Sequence, residues 1–331
     1  MLIPVGLAAP ARPPGDRVRD LSGQTMGTTW SVRCVAPEGV ADATLQGAIE
    51  QTLATVVALF SHWDPRSELS RFNNAPPGVW AVSEPFWTFI NEAMDLAGET
   101  RGAVDPTLGA LVDLWGFGPP GPRPAHDPVP DDDAIEAALR ISGRWKLRFN
   151  QEAHAMIQPG GLRLDLSGLA KGHAVDLVSE RLTAEGATSH LVEIGGELKG
   201  QGVRPDMQPW WVEIEQPTDD TAPRTMAALC GLAVATSGDY RRAFTYAGRT
   251  WSHTLDPATG RPISNGVASA TVFHPLALNA DAYATALTVM GPYRAPEWAE
   301  TWELAARIVE RTPRGLIEHV TPAWRAMADD A

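Results

Sequence analysis

Three short stretches carry side chains whose types and spacing suit anion and cation chemistry. The first runs from Leu162 to Leu182, LRLDLSGLAKGHAVDLVSERL. Leu162, Leu164 and Leu166 alternate with Arg163 and Asp165, the period of a half-buried strand. Ala174, Leu177, Val178, Arg181 and Leu182 then fall at three- and four-residue steps, the period of a helix. Between them lie Ser167, Gly168 and the Lys171-Gly172 pair. A strand that turns through small residues into a helix offers unpaired backbone N–H groups, and here a lysine, to an anion. Asp165 at the strand end is placed to hydrogen-bond a polar group beside it. An ordinary strand–helix turn with a surface lysine has the same pattern, and the GxxxxGK(S/T) spacing of a P-loop is absent.

The second stretch is NADAYATALTVMG, residues 279–291. Asp281 and Thr285 stand four apart on a predicted helix, so they share a face and their oxygens can meet one cation. Hard oxygens suit magnesium or calcium better than zinc, and two side chains leave the rest of the shell to carbonyls, waters or ligand phosphates. The alternative is an Asp favoured by the helix dipole, with Thr285 bonded to local backbone. The third stretch, RTWSHTLDPATGRPI (residues 249–263), ends a strand on His253 just before an Asp-Pro turn. An imidazole there is either a satisfied structural group or a general base of suitable intrinsic pKa.

The elements that must position these groups are legible in outline. QTMGTTWSVRCV (residues 24–35) reads as one strand with Gly27 inside it, marking a bulge or the close approach of a ligand. Residues 43–59 line a helix with Leu45, Ile49, Leu53, Val56 and Val57. In FSHWDPRSELSRFN, Asp64-Pro65 is a turn and Ser67 caps a short helix, with Trp63 either core or a platform for a flat ring. Ser83 is expected to cap a helix ending at Gly98, and Asp131 one ending at Leu139. Asp105 and Thr107 flank Pro106 in a turn, and the Gly/Pro-rich stretch after Trp115 runs to Pro130 as a loop. Residues 144–166 and 189–202 read as strands, the latter passing into Gly195-Gly196-Glu197. Residues 231–236 are apolar and lead into Ser237-Gly238-Asp239-Tyr240. The expected division is a Pro-rich flexible tail over 1–22, one large folded domain over 23–320 and a C-terminal tail over 321–331.

The bulk composition narrows the function classes. Among 331 residues, 27 are basic and 40 acidic, a formal charge of −13 that argues against nucleic acid as a partner. An anionic small ligand therefore needs local help from a lysine, backbone amides or a cation. Two cysteines, Cys34 and Cys230, make no zinc set and read as buried thiols. No run of about 18 apolar residues occurs, so no transmembrane segment is expected. The opening MLIPVGLAAPARPP has no basic residue ahead of its short apolar run, and Pro4 interrupts it, so a cytoplasmic location is expected.

Taken in order, MGTTW, SHWDPRSELSRFN, GAVDPTLGALVDLWGFG, DLSGLAKGHAVD, EIGGELKGQG, TSGDY, SHTLDPATGRPI and NADAYATAL resemble the ApbE family, the FAD:protein FMN transferases, over residues 24–292. The resemblance implies an α+β fold of two tightly packed lobes with FAD held between them and Mg²⁺ at its pyrophosphate. It implies transfer of FMN from FAD to a threonine hydroxyl in an acceptor protein bearing a flavinylation-type motif, with AMP leaving. By the same resemblance Met26 and Trp63 contact the flavin end of FAD. Ala103, Val104, Asp105, Asp165, Lys171 and the backbone around Leu255 hold the same molecule. The cation takes oxygens from Asp281, Thr285 and the Gly168 carbonyl, and His253 is the base for the incoming threonine.

Three departures stand out. Trp63 replaces a tyrosine of many members, and His173 occupies a place often held by tyrosine. The lipid-attachment cysteine near the start of many members is missing, which sets the family's usual periplasmic face of the inner membrane as the alternative location. Two rivals use the same residues: a metal-dependent FAD pyrophosphatase giving FMN and AMP, and a flavin-binding protein without turnover. A redox flavoenzyme is disfavoured, since no dinucleotide fingerprint, a GxGxxG that follows a strand and opens a helix, and no nicotinamide site is read in the chain.

Overall fold

The computed structural model describes residues 1–5, 11–217, 224–239 and 243–329; Tyr240 of the TSGDY stretch lies outside them. Regular structure opens with a hairpin of β1 (Arg19–Thr25) and β2 (Thr28–Val35). Its two-residue loop is Met26-Gly27, at φ of 47° and 73°. Two successive left-handed residues give the turn that matches the twist of paired strands. The single strand expected over 24–35 is therefore split, and Gly27 is a turn residue, not a bulge. Next come α1 (Asp42–Phe60), α2 (Glu68–Asn73), β3 (Gly78–Ala81), α3 (Glu84–Glu99), α4 (Gly109–Leu114) and α5 (Asp132–Ile141). After β4 (Arg148–Asn150) and β5 (Ala155–Gln158), α6 (Ala170–Ala184) leads to β6 (Ser189–Ile194) and β7 (Glu197–Gln201). Then follow β8 (Trp210–Ile214), β9 (Thr225–Leu229), β10 (Leu232–Gly238), β11 (Ala243–Tyr246), β12 (Arg249–Ser252), β13 (Leu255–Asp256) and β14 (Arg261–Pro262). The chain closes with β15 (Val267–His274), α7 (Ala277–Thr301), β16 (Ala305–Thr312), β17 (Gly315–Val320) and α8 (Pro322–Asp329).

The chain divides into two compact units. The first comprises Met1–Thr55, Gly168–Gly238 and Gly266–Ala331. Its frame is an antiparallel sheet in the order β1-β2-β6-β7-β10-β15-β16-β17. Helix α6 lies on β6 and β7, and α7 on β10, β15 and β16. Strand β15 is buried at all but its last residue, as a strand covered on both faces should be. Helix α7 breaks at Gly291, whose φ of 83° is followed by Pro292. A residue without a Cβ adopts that angle, and the proline that follows has no N–H to extend the ladder.

Described parts of both expected tails pack on this unit. Leu2 is only 2% exposed and bridges to Ala227, and the Ile3 N–H donates to the Met327 carbonyl at 2.8 Å. Trp324 and Met327 of α8 are buried in the same cluster, with Trp210 and Phe273. Such short segments have no periodicity from which this burial could be foreseen.

The second unit comprises Val56–Ser167 and Asp239–Asn265. It holds α2 to α5, a β3-β5-β4 sheet and two small hairpins, β11-β12 and β13-β14. Asp131 accepts from the Ala134 N–H at 2.8 Å and Ser67 Oγ from the Ser70 N–H at 3.0 Å, the two caps expected for α5 and α2. Ser83 does precede α3, but its N–H and hydroxyl donate to the Glu68 carboxylate, each at 2.6 Å. Helices set against largely antiparallel sheets make this an α+β fold, as expected. Among the described residues no helix is long and apolar enough to cross a membrane.

Candidate functional site

The Leu162–Leu166 stretch keeps its predicted alternation without joining a sheet. Leu162, Leu164 and Leu166 are buried, yet among the described residues the only β-pairing is a single bridge from Arg163 to Leu108. Side chains take the place of a neighbouring strand. Asn73 accepts from the Leu164 N–H at 2.7 Å and donates to its carbonyl at 2.8 Å, and Gln158 does the same for Leu162. Backbone groups in this buried segment are thus paired by side-chain amides, one four residues away and one from α2. The Asp165 N–H donates to the Pro106 carbonyl at 2.8 Å, which seats Asp165 beside the 103–107 loop.

That loop is itself rigid. Asp105 Oδ1 accepts from the Thr107 N–H at 2.8 Å and hydroxyl at 2.5 Å, and Oδ2 accepts from the Arg144 N–H at 3.1 Å. The Val104 side chain is buried and Ala103 partly so, which leaves backbone as their reach toward a ligand. Ser61 Oγ accepts from the N–H groups of Trp63 and Asp64, both at 3.1 Å, and this turn projects Trp63, 54% exposed, away from the core. Of the two readings of Trp63, core packing is therefore excluded.

His62 was not singled out by the sequence, yet its Nδ1 lies 3.3 Å from Asp165 Oδ1 and its ring centroid 5.2 Å from that of Trp63. Burial by itself would raise the Asp165 carboxyl; the His62 contact and the donors of Ser167 outweigh it and hold the group below the usual carboxylate range. Leu255 is buried with Leu108, Leu111 and Trp115, so only its backbone can meet a ligand. His253 is half-buried just ahead of it, with the Phe117 ring edge-on at 6.3 Å. Asp256 accepts from Ala258 N–H at 2.9 Å and the Thr259 hydroxyl at 3.0 Å, which fixes the turn after His253.

In the first unit the packing of α6 on α7 brings the remaining predicted residues together. The Gly172 N–H donates to Asp281 Oδ2 at 3.1 Å, and Lys171 Nζ lies 3.8 Å from Asp281 Oδ1 and 2.5 Å from Glu197 Oε1. Gly168 sits so close to Thr285 that a Cβ on it would stand 3.1 Å from Thr285 Oγ1. Thr285 Oγ1 is also 3.2 Å from the Ser237 hydroxyl. Glu197 and Ser237 complete a cluster to which the sequence had not assigned them, although both lie inside the EIGGELK and TSGDY stretches. The Met26 hairpin reaches the same region through Thr28, which packs against Gly195 next to Lys171.

The donor set fits a hard cation. Asp281 is 2% exposed, and Thr285, one turn further along α7, has the Ser237 hydroxyl and Gly168 beside its own hydroxyl. A buried carboxylate needs a positive partner, and Lys171 stands nearer to Glu197 than to Asp281. Among the described residues no group of three His, Cys, Asp or Glu side chains could hold a softer metal. His173, half-buried on α6, is pushed down to about 4 by desolvation, so it is neutral near pH 7.

Residues 26–308 match the ApbE family. The chain belongs to that family. An ApbE relative from Vibrio cholerae, named FAD:protein FMN transferase, is 39% identical over 322 residues, covering 96% of this chain and 95% of that protein. The Salmonella typhimurium protein of the same name is 35% identical, covering 92% of this chain and 88% of its own. Among solved ApbE structures, the apo flavinyl transferase of Pseudomonas stutzeri superposes with a TM-score of 0.87 at 37% identity, covering 94% of this chain and 97% of that one. The ApbE protein of Thermotoga maritima gives a TM-score of 0.84 at 30% identity, with 94% and 99% covered.

Proposed function

We propose that this chain is an FAD:protein FMN transferase that uses Mg²⁺ and modifies a threonine hydroxyl of an acceptor protein. The observation that carries the reading is the gathering of Gly168, Lys171, Asp281 and Thr285 into one cluster of hard oxygens and a lysine. Family membership supports it, since the named relatives are transferases of this kind.

In this reading Asp281, Thr285 and the Gly168 carbonyl hold Mg²⁺, which when bound neutralises pyrophosphate charge. Lys171 contributes to the same neutralisation as negative charge grows on the phosphoryl oxygens. Trp63, Met26, Ala103 to Asp105, Asp165 and the Leu255 backbone orient FAD. His253 takes the proton of the acceptor threonine while its oxygen attacks the phosphorus on the riboflavin side. The new bond is a phosphoester between threonine and FMN, the pyrophosphate P–O bond breaks, and AMP leaves with the bonding electron pair. His62 and Asp165 act on binding, not on the proton.

The test is to incubate the protein with FAD, Mg²⁺ and an acceptor carrying a flavinylation-type threonine motif, and to follow AMP release and acceptor mass. A mass gain equal to FMN less one water is expected, with the rate lowered by about 10²–10⁴ in His253→Ala while FAD binding persists. Asp281→Ala should abolish the Mg²⁺ dependence along with turnover. AMP and FMN released without acceptor modification would replace this reading with a pyrophosphatase.

A further inference from the structure

The carboxylate of Asp165 is held asymmetrically. The Ser167 N–H donates to Oδ1 at 2.8 Å, the Ser167 hydroxyl donates to the same oxygen, and His62 Nδ1 stands 3.3 Å from it. Among the described residues no protein group bonds Oδ2. The side chains of His62 and Asp165 are each 13% exposed, so the pair is largely withdrawn from water and its geometry is set by protein. Asp113 and Arg163 complete the local charge, 2.8 Å apart in their own ion pair.

We propose that His62 is a positioning residue for the ligand contact at Asp165. With Ser167 it occupies Oδ1 and leaves Oδ2 for a hydrogen-bond donor on the ligand, a hydroxyl or amino group of FAD. This rests on the proposed FAD contact at Asp165. The chemistry of the pair selects the ligand group: an ionised carboxylate only accepts, so a sugar hydroxyl or base N–H suits it and a phosphate does not. The ring also packs beside Trp63, so one histidine side chain orients two residues assigned to FAD.

Asparagine and glutamine separate the two ring nitrogens of His62. The amide of His62→Asn sits near the position of Nδ1 and can still donate to Asp165; that of His62→Gln sits near Nε2 and cannot. FAD affinity measured by titration calorimetry, with thermal midpoints recorded for each variant, is the readout. Asp165→Ala and His62→Gln are each expected to weaken FAD by about tenfold, the scale of one hydrogen bond to a charged group. His62→Asn should stay within about twofold of the parent, and the double variant His62→Gln/Asp165→Ala should be no weaker than Asp165→Ala alone. Equal losses in the Asn and Gln variants, additive losses in the double variant, or full affinity in His62→Gln would overturn the positioning role. Full affinity in Asp165→Ala would instead remove the contact on which it rests.

Discussion

Replacing Gly172 by alanine sets helix propensity against packing, and the geometry decides the sign. In an open helix the change gains about 1 kcal/mol. At Gly172, however, an added Cβ would stand 2.3 Å from the Ala277 carbonyl oxygen, 2.7 Å from its carbon and 2.8 Å from the Leu278 Cα. These are backbone atoms of α7, so no side chain can swing aside, and α6 must move away from α7. Overpacking of this kind costs about 1–3 kcal/mol and sometimes more, so a net loss of about 1–2 kcal/mol is expected after the propensity gain, because rigid backbone puts the cost in the upper part of that range. The same movement lengthens the 3.1 Å bond from the Gly172 N–H to Asp281 Oδ2, so Mg²⁺ affinity should fall as well. Gly47 in α1 is the control, because it is exposed and nothing lies within 4 Å of its added Cβ. Gly47→Ala should gain about 0.5–1 kcal/mol. Urea midpoints of the three proteins, with Mg²⁺ titrations by calorimetry, make the comparison. A Gly172→Ala protein as stable as the parent, with unchanged Mg²⁺ affinity, would refute the claim that close backbone approach builds this corner.

Two further perturbations test the first unit. His190 is fully buried; its Nδ1–H donates to the Ala187 carbonyl at 2.7 Å, so Nε2 accepts from the Ser179 hydroxyl at 2.7 Å. Burial pushes its pKa from 6.5 down to about 4, so the unfolded chain binds a proton that the folded one refuses. Its contribution is complete above about pH 6.5 and is lost as pH falls toward 4, roughly 3 kcal/mol in all. Unfolding midpoints from pH 7 to 4.5 should show this slope, and His190→Gln should flatten it; an unchanged slope in the variant would count against the assignment. Asp176 accepts from the N–H groups of Ala277 and Leu278 at 3.0 and 2.9 Å and pairs with Lys199 at 2.6 Å. Asp176→Ala leaves a buried ammonium and two helix donors unmatched, so a loss of about 3–5 kcal/mol is expected in thermal unfolding. A loss below about 1 kcal/mol would show that water already serves these groups.

Local signals were legible where one element alone determines the outcome. Apolar residues at helical spacing located α1 and α6, and the oxygens of Ser67 and Asp131 marked two helix starts, because a cap satisfies donors only a few residues away. The order of short motifs identified the ApbE family and with it the candidate residues. Other features depend on partners far along the chain. The alternation at Leu162–Leu166 set which side chains are buried, but the backbone of Leu164 is satisfied by Asn73, 91 residues away, and not by a strand. Ser83 stood in a capping position, and Glu68 took its hydroxyl instead.

Asp281 and Thr285 share a helix face by their spacing alone, whereas Gly168, Ser237 and Glu197 join them only through the packing of α6, α7 and the sheet. His62 likewise gains its role from Asp165, a contact that no spacing encodes. Residue type and local period determine which atoms a segment can present and on which face. Which of those atoms meet is decided by tertiary packing, because a hydrogen bond or ion pair depends on separation in space and not along the chain.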